Sequence, residues 1–266
     1  MADGGDGRKR VLVTGASGVI GRAVQEFLSD RYELHALTRS PADFPSQVAD
    51  ITDLDAIQPA FTGMDAVVHL AASSSVESPW DDVLPNNLIG TYNVYEAARR
   101  AGVDTVVFAS SNHAIGVYEI EGAPDLYELD DPRVYDHTVD IRPDSLYGMS
   151  KAYGEALGRY YVDMHGLRVF CLRIGSVRAS DDPRDPKLAD ASPPLLNLET
   201  AEQRFKRMRG TWLSRRDCCE LIARCLDNED LNWAVVYGIS DNPRQFWDIS
   251  HAKRILGYAP QDSAPE

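Results

Sequence analysis

The stretch Val11-Leu-Val-Thr-Gly15-Ala-Ser17-Gly18-Val-Ile20-Gly21-Arg22 decides the fold of this chain. Apolar and β-favouring residues lead directly into three glycines spaced three apart, and residues 23–28 continue with apolar side chains at helical spacing. This pattern predicts a buried parallel strand that turns sharply into a helix. The N-terminus of such a helix binds anions through its free N–H groups and its partial positive charge. The junction is therefore typical of a site for the pyrophosphate of a dinucleotide.

Each glycine of the junction has a predicted role. Gly15 permits the tight turn, Gly18 lets backbone N–H groups approach a pyrophosphate, and Gly21 allows the helix to pack closely on the strand. An ordinary glycine-rich turn is the alternative interpretation. The position of the junction, after an apolar strand and at the start of alternating strand and helix patterns, favours the dinucleotide site.

The composition indicates a globular protein with an unusual charge balance. With 266 residues, of which 44% are hydrophobic, the chain forms one large domain or one domain with a small appendage. The formal net charge is −14, and the chain has only five lysines against 22 arginines. This acidic, lysine-poor composition argues against nucleic acid and anionic membranes as partners. It favours adaptation to concentrated salt over an ordinary acidic enzyme.

The cysteines and the N-terminal residues predict a cytoplasmic protein. Cys171, Cys218, Cys219 and Cys225 have neither C-x-x-C spacing nor the density of a disulfide scaffold, so we expect reduced, structural cysteines. Residues 1–8 are polar and glycine-rich, and we expect a disordered tail without a targeting signal. No window approaches the length of apolar sequence that a membrane span requires.

Strand and helix patterns alternate along the whole chain. Hydrophobic runs predict strands at 11–14, 33–37, 47–51, 66–72, 105–109, 167–175 and 233–239. Helical spacing predicts helices at 23–28, 54–61, 86–101, from about 146 to 160, 217–226 and 250–256, with long loops at 119–144 and 180–201. The expected fold is α/β, a Rossmann-like doubly wound parallel sheet. Residues 9–176 would form the dinucleotide-binding core, and residues 177–266 a smaller substrate-binding lobe interleaved with it.

The end of the second strand bears on the choice of cofactor. In a dinucleotide-binding sheet, an acidic residue about 20 residues after the glycines binds the ribose 2′-hydroxyl of NAD. Here Thr38 and Arg39 stand in that place. An arginine can accept the 2′-phosphate of NADP through its planar fork, so NADP is the expected cofactor and NAD the alternative. In the other interpretation Arg39 only stacks on adenine or points to solvent.

Tyr147 and Lys151 stand four residues apart on a predicted helix and share one face. A tyrosine with a pKa near its usual value of about 10 cannot act as a base at neutral pH. A nearby ammonium favours the phenolate, and the same lysine can hold the nicotinamide ribose. No cluster of His, Cys and Asp residues suggests a metal site, so we expect none. His69, inside a strand pattern, is expected to be a hydrogen-bonded core residue.

The glycine spacing together with the Tyr-x-x-x-Lys pair resembles the extended short-chain dehydrogenases/reductases. Over most of its length the chain resembles one branch of them, which contains uronate dehydrogenases, NAD-dependent glucose-6-phosphate dehydrogenases and related aldose 1-dehydrogenases. The motifs that carry this resemblance are Phe108-Ala-Ser-Ser-Asn-His113, Leu146-Tyr-Gly-Met-Ser-Lys151, Arg173-Ile-Gly-Ser176, and Arg207 before Thr211-Trp-Leu-Ser214.

The resemblance implies a set of site residues. Tyr147, Lys151 and Ser111 would be catalytic. Substrate contacts would come from Ser75, Ser111, Asn112, His113, Tyr147, Ser176 and Arg207. Cofactor contacts would come from Gly15, Ser17, Gly18, Val19, Ile20, Gly21, Thr38, Arg39, Asp50, Ile51, Leu70, Ala71, Ala72, Asn87, Tyr147, Lys151 and Ile174. Taken singly, Ser111 could instead be a strand-end cap, His113 a surface histidine and Arg207 an exposed ion-pair residue.

The implied reaction removes hydride from the anomeric carbon of an aldose, sugar acid or sugar phosphate while Tyr147 takes the hydroxyl proton, which leaves a lactone. One alternative is a sugar-nucleotide epimerase or dehydratase that retains NAD, although such enzymes usually have a larger C-terminal domain. Another is a non-catalytic, cofactor-binding regulator, against which the complete set of Tyr147, Lys151 and Ser111 argues. A homo-oligomer is also expected.

Overall fold

A computed structural model describes residues 7–185, 187 and 193–265. The predicted N-terminal tail therefore lies outside the described residues as far as residue 6, and so does part of the predicted loop at 180–201. The described chain forms one parallel sheet of seven strands in the order β3-β2-β1-β4-β5-β6-β7. The strands are β1 (Arg10–Thr14), β2 (Glu33–Thr38), β3 (Gln47–Val48), β4 (Ala66–His69), β5 (Thr105–Ser111), β6 (Arg168–Ile174) and β7 (Trp233–Gly238). The predicted α/β fold with a doubly wound parallel sheet is confirmed.

Helices cover both faces of the sheet. They are α1 (Val19–Leu28), α2 (Leu54–Ile57), α3 (Trp80–Val83), α4 (Gly90–Ala101), α5 (Val117–Gly122), α6 (Leu146–His165), α7 (Ala201–Thr211), α8 (Arg215–Leu226) and α9 (Ser250–Leu256). Short 3-10 helices lie at Gln58–Phe61, Asn112–Ile115, Asp125–Tyr127 and Pro194–Leu196.

Successive side chains of β1 point to opposite faces of the sheet, and each face packs against its own layer of helices. Val11 and Val13 belong to the core that includes side chains of α1 and α8, whereas Leu12 belongs to the core that includes side chains of α4 and α6. All three side chains are at most 1% exposed. A strand buried on both faces must be apolar at every position, which is why the sequence reads as a continuous apolar run.

Two strand predictions were too long. The pattern at 66–72 predicted strand throughout, but β4 ends at His69, because the N–H groups of Leu70 and Ala71 turn toward Thr14 Oγ1, 3.2 and 3.3 Å away. The chain after β4 crosses directly over the glycine turn there. The third strand covers only Gln47–Val48 rather than 47–51, since the following residues form a turn.

The helix predicted at 86–101 begins earlier. α3, a π-helical segment at Leu84–Ile89 and α4 follow one another without a break from residue 80. The N–H of Gly90 donates to the carbonyl of Pro85, the spacing of a π-turn. Asn86 lies inside this helical run, and its side-chain amide donates to the Asp82 carbonyl at 2.8 Å.

The long acidic loop predicted at 119–144 is only partly irregular. It contains most of α5 and the 3-10 helix at Asp125–Tyr127, which bury Glu119, Leu126 and Tyr127. The basic segment at 205–212 lies mostly within α7, whose N-terminus carries a capping box between Thr200 and Gln203.

The C-terminal part contributes to the same sheet, since β7 pairs with β6 along six residue pairs. The proposed division at residue 176 stays a prediction. All four cysteines are buried and unpaired, as predicted. Within the described ranges, no helix is long and apolar enough to cross a bilayer.

His69 is a core histidine, as predicted. Its ring is 1% exposed and is hydrogen-bonded through Nδ1 to Thr14 Oγ1 at 2.8 Å and through Nε2 to Thr91 Oγ1 at 3.3 Å. Burial, and secondly the charge of Lys151, lowers the pKa of His69 to about 3. The ring is therefore neutral in the folded protein at every pH in ordinary use.

This lowered pKa predicts acid sensitivity. Between pH about 6.5 and about 3, the unfolded chain binds a proton at residue 69 and the folded protein does not, so stability falls as the pH falls. From pH about 7 to about 5 this group should remove about 2 kcal/mol from the free energy of unfolding. Urea titrations of the wild type and His69→Gln at both pH values measure the difference, which the variant should lack. An imidazole NMR signal of His69 that titrates near pH 6.5 would contradict this prediction.

Candidate active site

The glycine turn between β1 and α1 has the shape that an anion site needs. Gly15 adopts a φ of +69°, and a Cβ there would lie 2.7 Å from the Ala71 nitrogen. A Cβ on Gly21 would lie 2.6 Å from the backbone of Ala16, so the helix packs on the turn only with glycine at this position. Gly18 is the N-cap of α1 and supplies no capping side chain. The first N–H groups of α1 are left for a ligand, which fits the pyrophosphate of a dinucleotide.

The neighbouring predicted residues of α1 lie at the same turn. Ser17 is exposed, Val19 is 39% exposed and Ile20 is half-buried against the core. The turn is thus open to a ligand at its outer edge.

Thr38 and Arg39, at the end of β2, have different surroundings. The hydroxyl of Thr38 is hydrogen-bonded to that of Ser46 at 3.0 Å, and Thr38 is buried. Arg39 is exposed, and it has no hydrogen bond or ion pair within the described part of the chain. Its guanidinium group is therefore available to a ligand.

Asp50 and Ile51 follow β3. The Asp50 carboxylate accepts the N–H of Thr52 at 2.9 Å. Ile51 is buried, and its side chain lies directly against Gly90 at the start of α4.

Asn87 connects two of the predicted segments. Its side chain accepts the N–H of Ser73 at 2.7 Å and donates to the carbonyl of Ser73 and to the hydroxyl of Ser150, each at 2.9 Å. It therefore holds the chain that leaves β4 against α6, next to Lys151. The half-buried Leu70, Ala71 and Ala72 lead into this segment. Ser75 lies beyond it, exposed, with its hydroxyl accepting the N–H of Glu77 at 3.2 Å.

The structure brings Tyr147, Lys151 and Ser111 together. Lys151 donates from Nζ to the carbonyl of Ala109 at 2.7 Å, and the same Nζ lies 5.4 Å from the centre of the Tyr147 ring. Ser111 is the last residue of β5 and is 4% exposed. It also caps the following 3-10 helix, because its hydroxyl accepts the N–H of His113 at 3.2 Å. The predicted strand at 105–109 therefore extends through both serines.

Burial dominates the titration of this pair. It raises the pKa of Tyr147 to about 12, although hydrogen bonding to Ser111 lowers it. It also lowers the pKa of Lys151 to about 8. Both shifts favour the uncharged form. At neutral pH Lys151 still carries its proton most of the time, so the protein places a positive charge beside the phenol.

His113 is held by a carboxylate that the sequence argument did not single out. Its Nδ1 is 2.6 Å from Asp144 Oδ2, and its ring meets the Tyr147 ring edge-on with centres 5.9 Å apart. The other oxygen of Asp144 accepts a hydrogen bond from Ser145 at 2.8 Å. With its side chain 14% exposed, His113 is not a surface histidine. Asn112, beside it, is buried.

The first turn of α6 reaches this group because residue 148 is glycine. A Cβ on Gly148 would overlap the carbonyl oxygen of His113. Ser145 caps the helix by accepting the N–H of Gly148 at 3.0 Å. Tyr147 is thereby placed beside Ser111 and His113.

The end of β6 meets α7. Ile174, the last residue of β6, lies opposite Ser111 in the sheet register. The hydroxyl of Ser176 is hydrogen-bonded to that of Thr211 at 3.0 Å. Arg207 lies one turn before Thr211 on α7 and is 2% exposed. Ser111 and Ile174 at the strand ends, Ser176 just after β6 and Arg207 on α7 therefore lie at the same edge of the sheet.

Arg207 forms a buried ion pair. Its Nε donates to Glu119 Oε1 at 2.8 Å and its Nη2 to Glu119 Oε2 at 3.4 Å. Tyr127 donates to the same carboxylate at 3.0 Å. Although burial opposes it, the charge of Glu119 raises the pKa of Arg207. The pairing resembles the ion-pair alternative for Arg207, except that the pair is buried rather than exposed.

The remaining cations of α7 differ from Arg207. Lys206 pairs with Glu128 at 2.8 Å and with Glu202 at 3.2 Å, which is typical of surface charge. Arg209 is half-buried, without a partner in the described ranges. Among described residues, no group of three or more His, Cys, Asp or Glu side chains could hold a metal ion.

Comparisons with known proteins agree with this geometry. A family model described as "NAD dependent epimerase/dehydratase family" matches residues 11–231. The NAD-dependent glucose-6-phosphate dehydrogenase of Haloferax volcanii is 39% identical over 96% of this chain and 94% of its own length. The L-arabinose 1-dehydrogenase (NAD(P)(+)) of the same organism is 38% identical over 96% and 97%. The crystal structure of uronate dehydrogenase from Agrobacterium tumefaciens is 35% identical, with a TM-score of 0.77, over 96% of this chain and 85% of that chain.

The three hydrogen bonds of the Asn87 side chain predict that its removal lowers the stability of the protein. Asn87→Ala leaves the polar groups of Ser73 without partners, so it should lower the free energy of unfolding by about 2–3 kcal/mol and weaken cofactor binding. Asn86→Ala removes the same side chain one residue earlier and only one hydrogen bond, so its effect should be within about 1 kcal/mol. Urea denaturation followed by tryptophan fluorescence, and NAD(P)H titration, measure both effects. Equal losses in the two variants would refute this role of Asn87.

Proposed function

The chain belongs to the NAD dependent epimerase/dehydratase family, and on that premise we propose that it is an NAD(P)-dependent sugar 1-dehydrogenase. It would oxidise the C1 hydroxyl of an aldose, sugar acid or sugar phosphate to a lactone. The observation that carries this proposal is the placing of Tyr147, Ser111 and Lys151 together at the edge of the sheet where parallel α/β sheets bind ligands. Relatives of nearly the same length that bear the names of sugar dehydrogenases support it.

Three residues of the chain have separate roles in the proposed reaction. Tyr147 takes the proton from the C1 hydroxyl, Ser111 orients that hydroxyl, and Lys151 holds the ribose and keeps a positive charge beside the phenol. When bound, the cofactor supplies the nicotinamide ring that accepts hydride. Sugar contacts from Ser75, Asn112, His113, Ser176 and Arg207 stay predictions.

The bond between His113 and Asp144 supports a role for His113. A carboxylate at Nδ1 holds a proton on that nitrogen and leaves Nε2 for a sugar hydroxyl. Asp144 would therefore set the tautomer that the substrate meets.

Removal of one oxygen tests the proposed base. Tyr147→Phe should lower kcat by about 10²–10⁴-fold or more while the affinity for the cofactor stays the same, because only the ionisable group is lost. Tyr153→Phe makes the same change on the same helix and should keep kcat close to that of the wild type. Free pentoses, hexoses, uronates and sugar phosphates should be screened by NAD(P)H absorbance with both cofactors.

Three outcomes of this screen would count against the proposal. A Tyr147→Phe variant with a near-normal rate removes Tyr147 from its role. A wild type that retains NAD and gives no net reduction of added cofactor indicates the sugar-nucleotide epimerase or dehydratase alternative. A wild type that binds cofactor but converts no sugar indicates the regulator.

NADP is the proposed cofactor, with NAD as the alternative. Relatives and neighbouring structures support a nicotinamide cofactor, and the exposed, unpartnered Arg39 favours NADP among the described residues. Its position at the end of β2 is where the adenosine ribose lies in such sheets. The arginine fork matches a phosphate better than a hydroxyl.

This proposal predicts that loss of the Arg39 side chain weakens the binding of NADP but not that of NAD. Arg39→Ala should weaken NADP binding by roughly 1.5–3 kcal/mol and barely change NAD binding, because only NADP has the 2′-phosphate. Fluorescence titration of the two reduced cofactors measures both affinities. Equal losses would show that Arg39 stacks on adenine instead, and a strong preference of the wild type for NAD would overturn the proposal.

Oligomeric state, location and salt adaptation also stay predictions. A homo-oligomer is supported by exposed apolar side chains at Ile89, Tyr92, Tyr160 and Met164. The four unpaired cysteines support a reducing compartment such as the cytoplasm. The net charge of −14 supports adaptation to salt. Sedimentation and activity measurements in low and high salt test the first and the last.

A further inference from the structure

The loop that leaves β6 carries an arginine with unusual surroundings. Arg178 is half-buried, and its Nε is shielded from solvent without a hydrogen-bond partner. Within the described part of the chain, its guanidinium group forms no ion pair either. Withdrawal of a cation from water without a partner costs free energy. A guanidinium group kept in this state is therefore suited to an anion that the described part of the chain does not provide.

The charge around Arg178 is unbalanced. Burial, and secondly the positive charge of Arg207, lowers the pKa of Arg178. The carboxylate of Glu119 is already shared by two nitrogens of Arg207 and by the hydroxyl of Tyr127. Glu119 is therefore the counter-ion of Arg207, and no carboxylate of the described residues pairs with Arg178. The excess positive charge is confined to a partly desolvated place, where attraction to an anion is stronger than in water.

The position of Arg178 is on the substrate side of the sheet edge. β6 ends at Ile174, opposite Ser111, and Ser176 is hydrogen-bonded to Thr211 on α7. Thr211 in turn donates to the carbonyl of Arg207 at 3.1 Å. Arg178 follows Ser176 by two residues and is close enough to Arg207 for the two positive charges to interact.

We propose that Arg178, together with Arg207, binds an anionic group, either a phosphate or a carboxylate, at the end of the sugar remote from C1. The inference rests on the proposed function and specifies its substrate class, namely an anionic sugar rather than a neutral aldose. An arginine fork suits both anions, since each offers two oxygens to parallel N–H donors.

Kinetics of three variants test the proposal. Arg178→Gln should raise KM for the anionic sugar about 10- to 100-fold, with kcat and the KM for cofactor close to those of the wild type. Arg178→Lys keeps the charge and should recover part of the loss. Arg184→Gln is the matched control, because Arg184 lies in the same loop but is exposed and paired with Asp182 at 3.0 Å. Glucose 6-phosphate, glucuronate and glucose are the substrates, and the first two distinguish phosphate from carboxylate.

Thermal unfolding provides a second readout that does not depend on turnover. Arg178→Gln should not lower the midpoint of unfolding, because it removes an unpaired cation beside another cation. Glucose 6-phosphate or glucuronate should raise the midpoint of the wild type and of Arg184→Gln but not that of Arg178→Gln. A merely structural arginine would show the reverse, with a lower midpoint and an unchanged KM.

Several results would overturn the inference. One is an unchanged KM for every sugar in Arg178→Gln, and another is an equal rise for glucose and its anionic derivatives. A rise confined to the KM for cofactor would assign Arg178 to the dinucleotide instead. A wild type that oxidises only neutral sugars, and is not stabilised by the anionic ones, refutes the anionic substrate but leaves the proposed function intact. If no sugar is oxidised, the proposed function fails, and the thermal shifts alone decide whether Arg178 binds the anion.

Discussion

The candidate active site depends on one close approach, that of the first turn of α6 to the carbonyl of His113. This approach is possible because residue 148 has no side chain, since a Cβ there would overlap the carbonyl oxygen. Asp144 then reaches His113 Nδ1 at 2.6 Å, and Ser145 caps the helix. Tyr147 is placed beside Ser111 as a result. Small errors in such placing are costly in catalysis, because the reacting groups must be held in contact.

Close packing also sets the electrostatics of the site. It limits the contact of Tyr147 and Lys151 with water, so both groups favour their uncharged forms, with pKa values of about 12 and about 8. The sequence predicted that Lys151 would favour the phenolate of Tyr147, but in the protein without ligand the pKa of Tyr147 is raised. The site instead keeps a protonated lysine 5.4 Å from the phenol ring at neutral pH. In the protein, burial and the charge of Asp144 raise the pKa of Tyr147, and the hydrogen bond to Ser111 lowers it.

A second charged group at this edge of the sheet is the ion pair of Arg207 and Glu119. The Arg207–Glu119 pair is 1–2% exposed at its side chains, and such a pair is stable only when its hydrogen bonds are satisfied. Tyr127 and two guanidinium nitrogens satisfy the carboxylate. Arg178, in the loop that follows β6, has no counter-ion among the described residues. On a chain with a net charge of −14, this local excess of positive charge contrasts with the surroundings and would attract an anion.

The sequence by itself determined the order of strands and helices, the glycine turn, the buried His69 and the Tyr147–Lys151 pair. These features depend on neighbours within one or two turns of chain, where hydrophobic spacing and glycine positions are informative. Only the tertiary structure decided that Asp144 holds His113, that Glu119 holds Arg207 and that Asn87 joins Ser73 to Ser150. Asp144 and His113 are 31 residues apart in the sequence, and Glu119 and Arg207 are 88 apart. Asn87 is 14 residues from Ser73 and 63 from Ser150. Local patterns do not encode which distant polar side chains meet, because this depends on how the elements pack.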